Sequence, residues 1–315
     1  MSHKKGILLI NLGTPSKPTS SSVYAYLTEF LNDPRVIDLP WIIRIILVNA
    51  LIIPLRYRKS TEAYEKIWLK EGSPLLIYGE KLAAGLSAQL SSAYKIVLGM
   101  RYGKPSIAEA VEKLSDCTEV IVLPLFPQYA SASTGSAVEK ALTILAKKNN
   151  IPSIKVIHDF YDHPAFIQSM VYLLKKHIQN QPIQHYLFSY HGLPERHITK
   201  SKCQASCDHK AACPPITDKN RFCYRAQCYA TTNLIAAACE LNPENYSVSF
   251  QSRLGRAAWI KPYTDEILKD LRLQGIENLA VISPAFVSDC LETLEEINIR
   301  LREQWIDLGG KLFFY

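Results

Sequence analysis

Two stretches of the chain, Gly6-Ile-Leu-Leu-Ile-Asn-Leu-Gly-Thr-Pro15 and His185-Tyr-Leu-Phe-Ser-Tyr-His-Gly-Leu-Pro194, are short apolar runs that end in the same x-Gly-x-Pro turn. Runs of this length, bounded by turn residues, read as strands. Leu12 and His191 fall at corresponding places, so the pattern predicts an internal repeat. Further strand-like runs follow each of them: 95–98, 119–123 and 154–157 in the first half, then 247–251, 280–283 and 312–315 in the second. Longer segments with helical spacing separate these runs, among them 106–114, 135–147, 165–177 and 264–273. Strands alternating with helices indicate parallel sheets. The economical arrangement is two similar Rossmann-like, doubly wound α/β domains of four strands each, over 1–160 and 161–315.

In such sheets ligands gather at the carboxyl ends of the strands. The polar residues expected there are Arg101, Gln128, His191, Arg253 and Asp289, which places the expected cleft between the halves. His191 precedes a Gly-x-Pro turn, where an imidazole projects from the end of a strand instead of into the core. An isolated histidine is otherwise often structural.

The run from Ser283 to Ile297 reads as a strand end passing into a helix that carries Asp289, Glu292 and Glu296. On an α-helix this i, i+3, i+7 spacing stacks the three carboxylates on one face. Such close like charges repel by roughly a few tenths of a kcal/mol per exposed pair, and no Lys or Arg relieves the row before Arg300. Carboxylates in a row suit a divalent cation or the uptake of protons from a substrate; a solvated acidic face is the other reading. With an imidazole at an equivalent strand end, the set suits Fe2+ or proton removal near neutral pH.

Composition narrows the function classes without choosing one. The 315 residues are 48% hydrophobic and 21% charged, ordinary globular material with room for two domains. The net charge of +7 favours anionic partners, but the basic residues are dispersed, which argues against nucleic acid. The start, Met1-Ser-His-Lys-Lys-Gly6, runs straight into a strand pattern with no leader, and a cytoplasmic protein is expected. The longest apolar run, 39–55, is interrupted by Arg44 and Asn49 and bracketed by Pro40 and Pro54. It falls short of the roughly 20 residues a membrane span needs. With Arg56, Arg58 and Lys59 behind it, it reads either as an apolar lip that touches a membrane or admits a greasy ligand, or as a buried core helix.

Five of the eight cysteines, at 203, 207, 213, 223 and 228, fall in one short segment. In a cytosolic protein that density argues for a metal or cluster before disulfides. Thiolates suit Zn2+ or an iron–sulfur cluster; the spacings lack the paired Cys-x2-Cys of zinc ribbons, which weakens zinc without excluding it. Cys117, Cys239 and Cys290 read as isolated structural residues.

Taken together and in order, Ile10-Asn-Leu-Gly-Thr-Pro15, Gly99-Met-Arg-Tyr-Gly103, Pro127-Gln-Tyr129 with Thr134-Gly-Ser136, Ser189-Tyr-His-Gly-Leu-Pro194, Phe250-Gln-Ser-Arg-Leu-Gly255 with Trp259 and Pro262-Tyr-Thr-Asp265, and the Ser288 to Glu296 run resemble the ferrochelatases. That resemblance implies the class II chelatase fold of two similar domains, and a lyase that inserts Fe2+ into protoporphyrin IX in haem biosynthesis. It implies catalytic and metal-handling roles for His191 and Glu292, a proton or metal relay through Asp289 and Glu296, and a porphyrin site with Leu12, Arg101, Tyr102, Tyr129, Ser131 and Ser133. It turns 39–55 into the apolar mouth, with peripheral membrane contact. It also implies a [2Fe–2S] cluster in an insertion at 200–228, held by Cys203, Cys207, Cys213 and Cys223, with His209 in reserve; position 228 bears cysteine in relatives without a cluster. The chain stops at Tyr315, just after a strand, where relatives continue into a final helix. Rival expectations are a coproporphyrin or cobalt chelatase, and a non-catalytic porphyrin carrier or iron–sulfur sensor on the same fold.

Overall fold

The computed structural model of the chain describes residues 4–201, 213–255 and 257–315. They form two compact units, the first built from residues up to Phe126, Ala130–Asp159 and Ser288–Leu291, the second from Pro127–Tyr129, Phe160–Val287 and Glu292–Tyr315.

In the first unit β1 (Lys5–Thr14), β2 (Tyr94–Gly103), β3 (Glu119–Pro124) and β4 (Ser153–Val156) make one parallel sheet in the order β2-β1-β3-β4. Its helices are α1 (Ser20–Leu31), α2 (Trp41–Ile46), α3 (Ile53–Ile67), α4 (Pro74–Gln89), α5 (Ile107–Lys113) and α6 (Ser136–Leu145). Successive strand residues point to opposite faces. Leu8 and Ile10 therefore pack with Val97, Val120 and Val122 against α5 and α6, while Leu9 joins Leu98 and Met100 against α4. A central parallel strand buried on both faces needs a continuous apolar run, which is what residues 7–10 supply. The start of α5 is set by a capping box in which Ser106 accepts from Glu109 N–H and the Glu109 carboxylate accepts from Ser106 N–H.

The second unit repeats the plan. Its strands β5 (His185–His191), β6 (Tyr246–Gln251), β7 (Asn278–Ile282) and β8 (Leu312–Phe314) are parallel in the order β6-β5-β7-β8. The helices are α7 (Pro164–His177), α8 (Glu195–Thr199), α9 (Tyr224–Ala238), α10 (Thr264–Leu273) and α11 (Arg302–Asp307). Leu187, Leu279, Val281 and Phe313 pack on Leu268 and Leu271 of α10 and on Trp305 of α11. Trp305 is wholly buried, and its Nε1 donates to Leu312 O at 3.0 Å.

The repeated turn motif has one physical reason in both units. A Cβ at Gly13, whose φ is +120°, would lie 1.8 Å from the carbonyl oxygen of Tyr102 on β2. A Cβ at Gly192 would lie 2.7 Å from the carbonyl oxygen of Gln251 on β6. In each sheet the neighbouring strand passes too close to the end of the central strand for any side chain, so the motif marks the place where that strand delivers Leu12 or His191 to the sheet edge.

β5 opens on His185, buried with its Nε2 2.9 Å from Ser247 Oγ of β6. Burial lowers its pKa to about 4 from the ordinary 6.5. The unfolded chain takes up a proton as pH falls through 6.5, whereas the folded chain resists until about 4. Stability from this group is thus complete above pH 6.5 and falls through that window by about 3 kcal/mol. Urea midpoints measured from pH 7 to 4 are expected to fall along this curve, and a His185→Gln protein to lose most of that slope.

Candidate active site

His191 is the last residue of β5, half-buried and paired in register with Gln251 of β6. Its Nδ1 lies 2.6 Å from its neighbour's carbonyl oxygen, Gly192 O. A carbonyl only accepts, so Nδ1 carries a proton, and in the neutral ring the lone pair is on Nε2. The backbone is pinned from the other side by Tyr224, whose hydroxyl donates to His191 O at 2.8 Å. The Trp259 ring stands 6.4 Å from the imidazole, centroid to centroid.

The acidic run departs from the sequence expectation. Glu292–Leu301 is a π-helix, and Asp289 stands ahead of it in irregular chain, so the three carboxylates do not share an α-helical face. With i→i+5 bonding the turn is wider than in an α-helix. Glu295 and Arg300, five apart, meet at 2.8 Å, and Glu295 is buried. Side chains from the end of β6 hold this geometry. Gln251 Nε2 donates to Glu292 O at 2.9 Å, in the first turn. Glu296 is clamped: Oε1 accepts from Ser252 N–H at 2.9 Å, and Oε2 accepts from the Ser252 hydroxyl and from Gln251 Nε2 at 3.3 Å. Ser252 sits at φ +67°, a conformation uncommon outside glycine, and both its donors serve Glu296. A recess of about 200 Å³ opens beside Glu296, walled also by Gln251, Ser252, Arg253 and Arg300. Among the described residues no three His, Cys, Asp or Glu side chains are gathered to hold a metal ion.

In the first unit Arg101, on β2, is tied into a buried cluster that local sequence gave no sign of. Its Nη2 meets Asp33 Oδ2 at 2.5 Å and its Nε meets Ser136 Oγ at 2.6 Å. Asp33, just beyond α1, also accepts from the Tyr102 hydroxyl at 2.8 Å, from Ser136 Oγ at 2.5 Å and from Arg35 N–H at 2.7 Å. Burial alone would raise the Asp33 pKa; the Ser136, Arg35 and Tyr102 hydrogen bonds and the Arg101 charge outweigh it and hold it below the usual value. Tyr102 is wholly buried under the Arg101 guanidinium, 4.5 Å from ring to Cζ, so it supports the arginine from behind. Leu12 is half-buried at the end of β1, and Tyr129 is half-buried with its N–H on Gln227 Oε1 at 2.7 Å. Ser131 and Ser133 lie on a π-helical turn, Ser131–Gly135, and Ser131 Oγ accepts from Arg35 Nη1 at 2.9 Å. Gln128 is buried with Nε2 on Thr231, and Arg253 is engaged by Asp265 and Glu266.

The 39–55 segment is not a buried helix. Across α2 and the following π-helical stretch Leu47–Ile52, Trp41 is 65% and Ile46 62% exposed, with Ile42, Ile43, Ile45 and Leu51 also open to solvent, while Val48 and Ile53 face inward. No helix among the described residues is long and apolar enough to cross a membrane.

Of the cysteine segment, Cys203, Cys207 and the reserve His209 lie outside the described residues. Cys223 is buried at the start of α9, and Cys213 Sγ accepts from Arg225 Nη1 at 3.1 Å. Cys228 is wholly buried, and burial raises its pKa.

Two doubly wound α/β units, one ending its central strand on an imidazole and carrying carboxylates on a π-helix, have the side-chain chemistry of an enzyme that handles protons or a metal ion. The ferrochelatase family profile matches residues 4–315. A ferrochelatase of Legionella pneumophila, strain Paris, is 54% identical over 310 residues, covering 98% of this chain and 92% of the relative. One from Coxiella burnetii is 49% identical over 312 residues, covering 98% and 87%. The chain belongs to the ferrochelatase family. It is an enzyme of haem biosynthesis, with Fe2+ as a substrate.

Proposed function

We propose that this ferrochelatase takes protoporphyrin IX, replaces its two pyrrole N–H protons with Fe2+ and releases both protons, using His191 and Glu292. The observation that carries this reading is the His191 tautomer: with Nδ1 committed to Gly192 O, Nε2 is available to accept a pyrrole proton or hold arriving iron. The porphyrin supplies its own nitrogen ligands, so the protein needs no closed cage of donors, only a transient partner for the metal and an acceptor for protons. Glu292 continues the path, with Glu296 one turn on beside an open recess and Asp289 before the helix. Protons leave, or metal enters, along that line.

Arg101 takes a porphyrin propionate. Its Nη1 carries no hydrogen bond among the described residues while Nε and Nη2 are held, which leaves two donors on a fixed guanidinium. Leu12, Tyr129, Ser131 and Ser133 line the porphyrin site, and Tyr102 braces Arg101. The exposed Trp41 and isoleucines of 41–46, rimmed by Arg56, Arg58 and Lys59, rest on the inner face of the cytoplasmic membrane.

Cys203, Cys207, Cys213 and Cys223 hold a [2Fe–2S] cluster. Two of these thiols are described: Cys223 is buried at the start of α9, and Cys213 Sγ accepts from Arg225 Nη1 at 3.1 Å. When bound, such a cluster supplies a one-electron centre and cross-links the insertion.

Glu292→Gln tests the catalytic pair. It removes the proton acceptor while leaving the backbone carbonyl that Gln251 holds, so turnover in an anaerobic iron-insertion assay is expected to fall by about 10²-fold with porphyrin affinity retained. Unchanged turnover would remove Glu292 from the mechanism.

A further inference from the structure

Arg300 has two carboxylates within reach, and their spacing along the chain decides which it can hold. Its Nε lies 2.8 Å from Glu295 Oε2, five residues earlier, and its Nη2 lies 4.0 Å from Glu296 Oε1, four residues earlier. In an α-helix the preference would be reversed. At 3.6 residues per turn, residues five apart stand about 140° apart around the axis, while those four apart are neighbours on one face. The i→i+5 turn of 292–301 brings the fifth residue round instead. Burial makes that choice costly to reverse. The Glu295 side chain is 8% exposed, and among the described residues Arg300 is the one side chain that pairs with it. A buried carboxylate that loses its cation is strongly destabilising, so α-helical register is penalised at Glu295. Glu296 gains from the same arrangement. With Arg300 drawn to its neighbour, its oxygens stay on Ser252 and Gln251, and Gln251 in turn holds Glu292 O. The first turn of the helix is thus fixed by the end of β6, and the last by Arg300.

We propose that Arg300 is a positioning residue for iron insertion: by pairing with Glu295 it keeps 292–301 π-helical and so holds the Glu292 carboxylate in its working place. The inference rests on the reading of Glu292 given above. Arg300 takes no part in the transfer of protons or metal itself. Its effect on the rate passes through the helix to Glu292, which makes the two residues a coupled pair in any kinetic comparison.

The test measures anaerobic insertion of ferrous iron into protoporphyrin IX by the full chain, with porphyrin affinity read by fluorescence, in Arg300→Met, Glu292→Gln and the double variant. Arg300→Met is expected to lower kcat by about 10- to 10²-fold, the loss that misplacing a reacting group by about 1 Å can bring, with the KM for iron and the porphyrin affinity kept. Arg300→Lys keeps the charge and is expected to recover much of that loss. The double variant is expected to be no slower than Glu292→Gln alone, whereas a merely structural arginine would slow both backgrounds alike. Should Arg300→Met not fold, Glu295→Gln carries the same comparison, because it removes the charge that draws Arg300 away from Glu296. Wild-type kcat in Arg300→Met, or losses that multiply in the double variant, overturn the role of Arg300 and leave Glu292 standing. Unchanged turnover in Glu292→Gln overturns the Glu292 reading and this inference with it.

Discussion

His191→Ala will lower the rate of iron insertion by about 10²- to 10⁴-fold, the span a positioned proton acceptor contributes, while porphyrin affinity stays close to that of the wild type. The split follows from geometry. Among the described residues the side chain makes one hydrogen bond, to its neighbour's carbonyl, and in the neutral ring the lone pair is on Nε2. The backbone does not need the imidazole: Tyr224 holds His191 O, and Gly192 N–H donates to Gln251 O at 2.8 Å. Removing the ring should leave β5, and the binding of the macrocycle, intact. Porphyrin fluorescence titration reads affinity and anaerobic absorption reads turnover. Added imidazole is expected to restore part of the lost rate, which a merely structural histidine would not allow. Equal loss of affinity and turnover would make His191 part of the porphyrin wall instead of the chemistry.

Arg101→Met should cost the protein about 3 kcal/mol of stability, the cost expected when one partner of a buried ion pair is removed. Asp33 is the reason. Its side chain is only 3% exposed, and its carboxylate is ionised in the folded protein because Ser136, Arg35 N–H, Tyr102 and the Arg101 charge together outweigh burial. Without the guanidinium a buried negative charge remains on neutral donors alone. Asp33→Asn is expected to destabilise in turn, and the double variant Asp33→Asn with Arg101→Met to lose less than the sum, which measures the coupling directly. Urea midpoints decide. An Arg101→Met protein of wild-type stability that binds porphyrin weakly would show that the arginine serves only the ligand. The two effects also separate by pH: the depressed Asp33 pKa contributes stability above its ordinary value of 3.8 that is lost only as pH falls below it, under the His185 window.

Much of the fold was legible because parallel α/β units write themselves locally. The helix expected over 264–273 is α10, residue for residue, and the repeat seen in two x-Gly-x-Pro turns is two sheets of one topology. Strand ends were less legible: β2 runs to Gly103, beyond the apolar core of its pattern, because its last residues pair with the end of β1. The π-geometry of 292–301 was not legible at all. An α-helix and a π-helix draw on the same residue types, and here the wider turn is held by Gln251 and Ser252, some forty residues earlier. Glu295 was missed for the same reason, since its pairing with Arg300 at five residues makes sense only on a π-helix. Asp33 lies in a connection with no periodicity, 68 residues from Arg101, and only the tertiary fold brings the two together. The place of His191 at the end of β5 was legible because a strand end followed by a glycine turn is a local signal with a fixed consequence.

The central claim is that His191 and its carboxylate line carry iron into the porphyrin. The most direct measurement is stopped-flow absorption under anaerobic conditions, mixing wild-type protein preloaded with protoporphyrin IX against ferrous iron, beside the same experiment with His191→Ala. The account predicts conversion of the porphyrin bands to those of haem in the wild type and near-silence in the variant. Equal conversion in both, or a wild type that holds porphyrin without converting it, would contradict it.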